Sequence, residues 1–136
     1  MISLDEGWIE GVFRTKEPVA RAADGTPCYI LLRFYKDGQV LEVSLCRDVE
    51  AEWSEIEKWF NRDVAPYNGY HAMGHYQMEG NHIQSSMVGY DREYPTYYQF
   101  DDYGEIVGDH LLLRTKVPEH PIVGEHEFVP LLAAQL

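Results

Sequence analysis

Four kinds of side chain in this sequence are capable of chemistry: six histidines, 23 carboxylates, the Ser85-Ser86 pair and two cysteines. His71 and His75 are four residues apart, the spacing that brings two imidazoles onto one metal ion when it falls on a helix. Here the surrounding residues read as a strand, where positions four apart lie roughly 13 Å from each other on one face. They cannot share an ion without help from other strands. Across Glu79-Gly80-Asn81, His82 is expected to face Glu79 or Met78, which adds no second ligand. His110, His120 and His126 read as ordinary surface or core histidines, and neither a metal site nor a cofactor is expected. With 23 carboxylates no single acid–base pair stands out. Asp109 and His110 are adjacent in a strand and so point to opposite faces. Glu79 and His82 flank a turn, and Asp101 and Asp102 read as turn formers beside Gly104. Ser85, Ser86 and Cys46 are the possible nucleophiles, but none sits in a strand–turn–helix elbow or beside a visible base. No Gly-rich loop precedes a helix, so a phosphate cradle is unsupported. No catalytic residue is assigned.

The elements that must position these residues are mostly strands. Pro27 to Tyr35 is rich in β-branched and aromatic residues, and Gln39 to Leu45 alternates Leu41, Val43 and Leu45 with Glu42 and Ser44, the period of a half-buried strand. Asp37-Gly38 between them marks a hairpin. Its register decides how the cysteines relate. A two-residue loop sends Cys28 and Cys46 to opposite faces; a three-residue loop with a bulge at Gly38 sets them opposite each other. Reduced core thiols are expected in either register. One amphipathic helix is expected at about 48–62, with Asp48 as N-cap, Val49, Trp53, Ile56 and Phe60 on its apolar stripe, and Pro66 beyond its end. The later half returns to β texture, with turns around Gly80 and after Phe100 at Asp101-Asp102-Tyr103-Gly104. Gly74 and Gly108 mark bends that let a sheet curl. Gly7 to Arg14 reads as a further strand. The expected fold is mainly β: a single antiparallel up-and-down barrel or strongly curled sheet, with the helix inserted between early and late strands. The domain is expected over 1–117, with 118–136 an extended arm whose apolar end, Leu131 to Ala134, docks on the domain or on a partner.

The stretch Gly74-His75-Tyr76-Gln77-Met78-Glu79-Gly80-Asn81-His82-Ile83, with Tyr97-Tyr98-Gln99-Phe100 and Gly108-Asp109-His110-Leu111-Leu112-Leu113, resembles small lipocalin-like (calycin) barrel domains. The early Gly7-Trp8 is similar to their N-terminal Gly and Trp. The resemblance covers about forty residues of the later half, and hairpin grammar accounts for much of it. It implies an up-and-down barrel with an internal cavity of the kind that often holds hydrophobic ligands, and it carries over no catalytic residue. The helix between early and late strands departs from the family order, in which a helix follows the barrel.

The aromatic residues are the candidate ligand contacts. Trp8, Phe34, Tyr70, Tyr76, Tyr98 and Phe100 are placed to line a barrel interior, with Met78 and Met87 as adaptable filler. Trp53 on the helix, with Ile56, Trp59 and Phe60, is placed to close one end as a lid or to plug it. The competing reading is that the whole set simply fills the core. The formal charge of −12 and the absence of a basic cluster disfavour a nucleic acid or an anionic membrane as partner. The first residues lack a basic and apolar leader, and no run approaches the ~18 apolar residues of a membrane span, so a cytoplasmic protein is expected. Three functions follow in order: a binding domain for a hydrophobic or aromatic small molecule; an acidic interaction or inhibitor-type protein for a basic protein partner; and a small barrel enzyme using His71, His75, His110 or Glu79. Homodimerisation through an edge strand or the C-terminal arm fits any of them.

Overall fold

The computed structural model describes residues 1–64, 71–91, 96–117 and 124–131. Eight antiparallel strands close into a barrel, in the order β3 (Gly11–Thr15), β11 (Gly124–Pro130), β10 (His110–Lys116), β9 (Thr96–Val107), β8 (His82–Asp91), β7 (Ala72–Glu79), β6 (Gln39–Cys46) and β5 (Pro27–Phe34). β5 pairs back onto β3 through Phe13 opposite Leu32. Closure of this kind pairs both edges of the sheet. The short β4 (Ala20–Arg21) continues the β5 edge beyond β3, and β1 (Ile2–Ser3) with β2 (Trp8–Ile9) forms a small separate ladder.

The β5–β6 hairpin takes the three-residue loop: Tyr35 N–H donates to the Gln39 carbonyl at 2.9 Å, and Gly38 has φ +100. Cys28 therefore lies opposite Cys46. The two form a disulfide, which corrects the expectation of reduced thiols. Once the bulge fixes the register, the two sulfurs point to the same face and meet.

Both faces of β6 are covered, and this inverts the reading of its alternation. Leu41 and Val43 are buried on the outside of the barrel, in a cluster with Val12, Leu31, Val49, Trp53, Ile56 and Phe60. Glu42, opposite the interior residues Leu32 and Ala72, points inward. The helix α1 (Trp53–Trp59) is shorter than 48–62 because Asp48 closes a preceding turn, its carboxylate accepting from Ala51 N–H at 3.2 Å and its carbonyl from Glu52 N–H at 3.0 Å. The whole expected stripe of Val49, Trp53, Ile56 and Phe60 is nevertheless buried. Pro66 lies outside the described residues. Arg33 donates to the Phe60 carbonyl at 2.7 Å and so ties the end of the helix to β5. α1 lies against the outer wall and neither plugs nor lids an end of the barrel.

Two expectations for the later half change. Asp101-Asp102-Tyr103-Gly104 is not a turn but the middle of the twelve-residue β9; the turn lies at Gly108-Asp109. Asp102 stands in the ladder opposite both Ser85 and Thr115, and the missing side chain of Gly104 admits the β10 backbone at Leu112, where a Cβ would collide with the Leu112 carbonyl. The stretch 124–130, assigned to an extended arm, is a barrel strand. Its single proline, Pro130, sits at the strand end opposite Phe13, a position where a missing N–H is tolerated. Leu131 is buried, whereas 132–136 lies outside the described residues.

Candidate functional site

The barrel interior has two chemically distinct ends. At the first lie the β5–β6, β7–β8 and β9–β10 turns. Phe34 packs edge-to-face on Phe13 at 5.6 Å and on Tyr76 at 5.2 Å, with Ile83, Ile106, Leu111 and Phe128 in the same cluster. The N-terminal segment seals this end. Ile9 is fully buried, and the Tyr76 hydroxyl accepts from Ile9 N–H at 2.9 Å while donating to the Tyr35 carbonyl at 2.6 Å. Burial pushes the Tyr76 hydroxyl above its ordinary pKa, against the opposing effect of its bond to Ile9. Phe34 and Tyr76 are thus plug residues. Trp8 lies outside the plug, donating from Nε1 to Glu6 at 2.5 Å with the Lys36 ammonium 4.4 Å from its ring centre.

The second end carries the Cys28–Cys46 disulfide and a polar lining. Register alternation turns Thr15, Glu42, Ser44, Ser85, Asp102, Thr115 and His126 inward. Asp102 is 3% exposed and accepts from the Thr115 hydroxyl at 2.5 Å through Oδ1. Its pKa is pushed up to about 7, chiefly by burial and then by the negative charge of Glu42, with the Thr115 bond opposing. Asp102 Oδ2 takes no hydrogen bond among the described residues, and neither does the hydroxyl of Ser85, a residue only 6% exposed. No such atom is sealed from solvent-sized space, because every fully buried side-chain nitrogen or oxygen among the described residues has a partner. His71 Nε2 stands 3.7 Å from the Glu42 carboxylate. Above this lining, Phe100 is buried and stacks with Tyr98 at 5.8 Å; the Tyr98 ring occupies the space a side chain at Gly89 would need.

The predicted contact residues therefore separate. Tyr98 and Phe100 meet at the disulfide end, Phe34 and Tyr76 fill the sealed end, Trp8 lies beyond the seal, Trp53 lies in the outer core, and Tyr70 is outside the described residues. His71, His75, His110 and Glu79 do not converge: His75 is exposed opposite Gln39, His110 pairs with Glu127 at 2.9 Å on the outer face, and Glu79 stands at the β7–β8 turn. His120 lies outside the described residues. Asp109, placed in the turn rather than the strand, reaches His110 at 3.4 Å. No group of three or more metal-ligating side chains is present among the described residues.

A concavity of about 430 Å³ lies on the outer face of the late strands between Gln77, Glu79, His82, Tyr103 and Arg114. Its cation is already engaged, since Arg114 donates to Glu125 at 3.0 Å. No described helix is long and apolar enough to cross a membrane. Comparison of the chain with protein-family models, curated proteins and solved structures gives no match.

Proposed function

We propose that this protein is a binding domain that holds a small molecule with an apolar or aromatic body in the disulfide end of its barrel, in the manner of lipocalin-like domains. The observation that carries the reading is the division of one interior into a packed, sealed end and a polar end. At the polar end the Ser85 hydroxyl and one Asp102 oxygen face inward without a partner among the described residues. Polar atoms that reach solvent-sized space without a protein partner are open to a ligand that supplies one. Phe100 and Tyr98 offer an aromatic wall for the apolar body. The trio of His71, His75 and His110 gives no comparable convergence for an enzyme.

A thermal-shift screen with fatty acids, aromatic alcohols and aromatic amines tests this reading. A ligand-induced rise in melting temperature is expected, and it should vanish in Ser85→Phe, which fills the interior. No shift across the panel, or a shift that survives Ser85→Phe, overturns it.

The formal charge of −12 supports a second reading, an acidic exterior that meets a basic protein. A complex formed that way weakens as salt rises, and a pull-down at low and moderate salt measures it. The disulfide supports an oxidising compartment in place of the cytoplasm.

A further inference from the structure

We propose that the polar end of the barrel is a subsite for a protonated amine, seated between Glu42 and Asp102 with the Ser85 and Thr115 hydroxyls beside it. The proposal rests on the reading of the barrel as a small-molecule binding domain and specifies the head group of the ligand.

Glu42 comes from β6 and Asp102 from β9, on different parts of the barrel wall, yet both face one interior, and the charge of Glu42 acts on Asp102. Two inward carboxylates repel each other unless a cation lies between them or one of them takes up a proton. Among the described residues no lysine or arginine takes an inward register position, and the one cation-forming side chain set against Glu42 is His71, at 3.7 Å. Arg14 is turned out to Glu50, Arg33 to Phe60 and Arg114 to Glu125. The independent sign of a missing partner is Ser85. It is 6% exposed, inward and directly opposite Asp102, and its hydroxyl has no hydrogen bond among the described residues. A group that satisfies two carboxylates and two hydroxyls together must donate several hydrogen bonds and carry positive charge. An alkylammonium does both. Phe100 and Tyr98 flank the same end and suit an aromatic or aliphatic body on that amine.

The geometry also implies linkage to protons. Without ligand, burial and the charge of Glu42 favour a protonated Asp102. An ammonium favours the ionised form, so its binding releases a proton and strengthens as pH rises through neutrality. The other titratable groups facing this interior are Glu42 on β6, His71 leading into β7, Tyr76 on β7 and His126 on β11; Asp101 lies beside Asp102 on the outer face of β9. Protonated His71 competes with the ligand for Glu42, which acts in the same direction.

The test is calorimetry on the full chain with three molecules of one shape: phenethylamine, phenethyl alcohol and hydrocinnamate. Phenethylamine is expected to bind about tenfold or more tighter than the alcohol, and hydrocinnamate most weakly. Asp102→Asn and Glu42→Gln should each reduce that preference about tenfold, lowering affinity for the amine far more than affinity for the alcohol. Phenethylamine remains protonated between about pH 6 and pH 8, so the roughly tenfold gain expected over that range belongs to the protein. In His71→Gln that gain should persist, because Asp102 remains. Equal affinity for amine and alcohol, a preference for hydrocinnamate, or an amine preference that survives both carboxylate variants overturns the amine subsite and leaves the binding domain standing. Binding of none of the three, with no ligand found in the thermal-shift screen, overturns both. A thermal shift with magnesium or calcium chloride alone that matches the shift with phenethylamine also overturns the amine assignment.

Discussion

The two ends of the barrel interior use the same ladder and opposite chemistry. At the sealed end every polar atom that enters the core has a partner: the Tyr76 hydroxyl sits between Ile9 N–H and the Tyr35 carbonyl, inside a ring of aromatic side chains. At the disulfide end, among the described residues, Asp102 has a partner on one oxygen only, Ser85 has none, and the charge of Glu42 acts on Asp102. A packed core gains nothing from leaving such groups short of partners. The contrast therefore separates the part of the interior whose polar atoms are all paired from the part whose polar atoms are left short of protein partners among the described residues.

Substitutions that exchange the roles of the two ends should expose this contrast. Phe34→Ala at the sealed end removes a ring packed on Phe13 and Tyr76 and should lower unfolding free energy by about 3–5 kcal/mol, read by urea denaturation.

Asp102 should make stability depend on pH. Its folded pKa of about 7 lies above the ordinary 3.8, so the folded state holds the proton more tightly than the unfolded chain. The contribution of Asp102 to stability is then greatest below about pH 4 and declines as pH rises through about 7, by as much as ~4 kcal/mol. Asp102→Asn should flatten that part of the profile and raise stability at pH 8. A profile identical to that of the wild type would show that Asp102 ionises freely.

Reduction of the Cys28–Cys46 bond, 18 residues apart, should cost about 3 kcal/mol, measured by melting with and without dithiothreitol. Smaller effects sharpen the comparison further. Tyr76→Phe leaves Ile9 N–H without its acceptor and should cost about 1–2 kcal/mol. Ser85→Ala, which breaks no hydrogen bond, should change stability by less than about 0.5 kcal/mol.

Much of the scaffold could be read from the residues, for reasons the structure makes plain. Asp37-Gly38 between two alternating runs specified the first hairpin, and the stripe from Val49 to Phe60 specified a helix whose buried residues are those expected. What escaped was the direction in which things face. Leu41, Val43 and Leu45 read as the core side of a half-buried strand, but β6 has a core on each side, and alternation cannot tell which core is the barrel. Glu42 thereby passed for a solvent residue. Asp102 escaped for a different reason: Asp-Asp-Tyr-Gly has the composition of a turn, and only the twelve-residue run of β9 and its register with Ser85 and Thr115 show it to be the middle of a strand. Gly124–Pro130 was hidden by the prolines around it, since a strand that closes a barrel with a proline at its end looks like an arm when its partners are unknown. Aromatic character picks out Tyr98 and Phe100, which stack at the disulfide end, but passes over the inward Glu42, Ser85 and Asp102 of the same interior.

The position of α1 on the outer wall has a practical consequence. Only the thickness of one strand separates the inward Glu42 from Leu41 and Val43, which share a buried cluster with Trp53. A rearrangement around Glu42 would have only that single layer to cross to reach an indole held away from water. The emission of Trp53 is therefore expected to register what occupies the interior, giving the chain an intrinsic optical gauge without an attached dye.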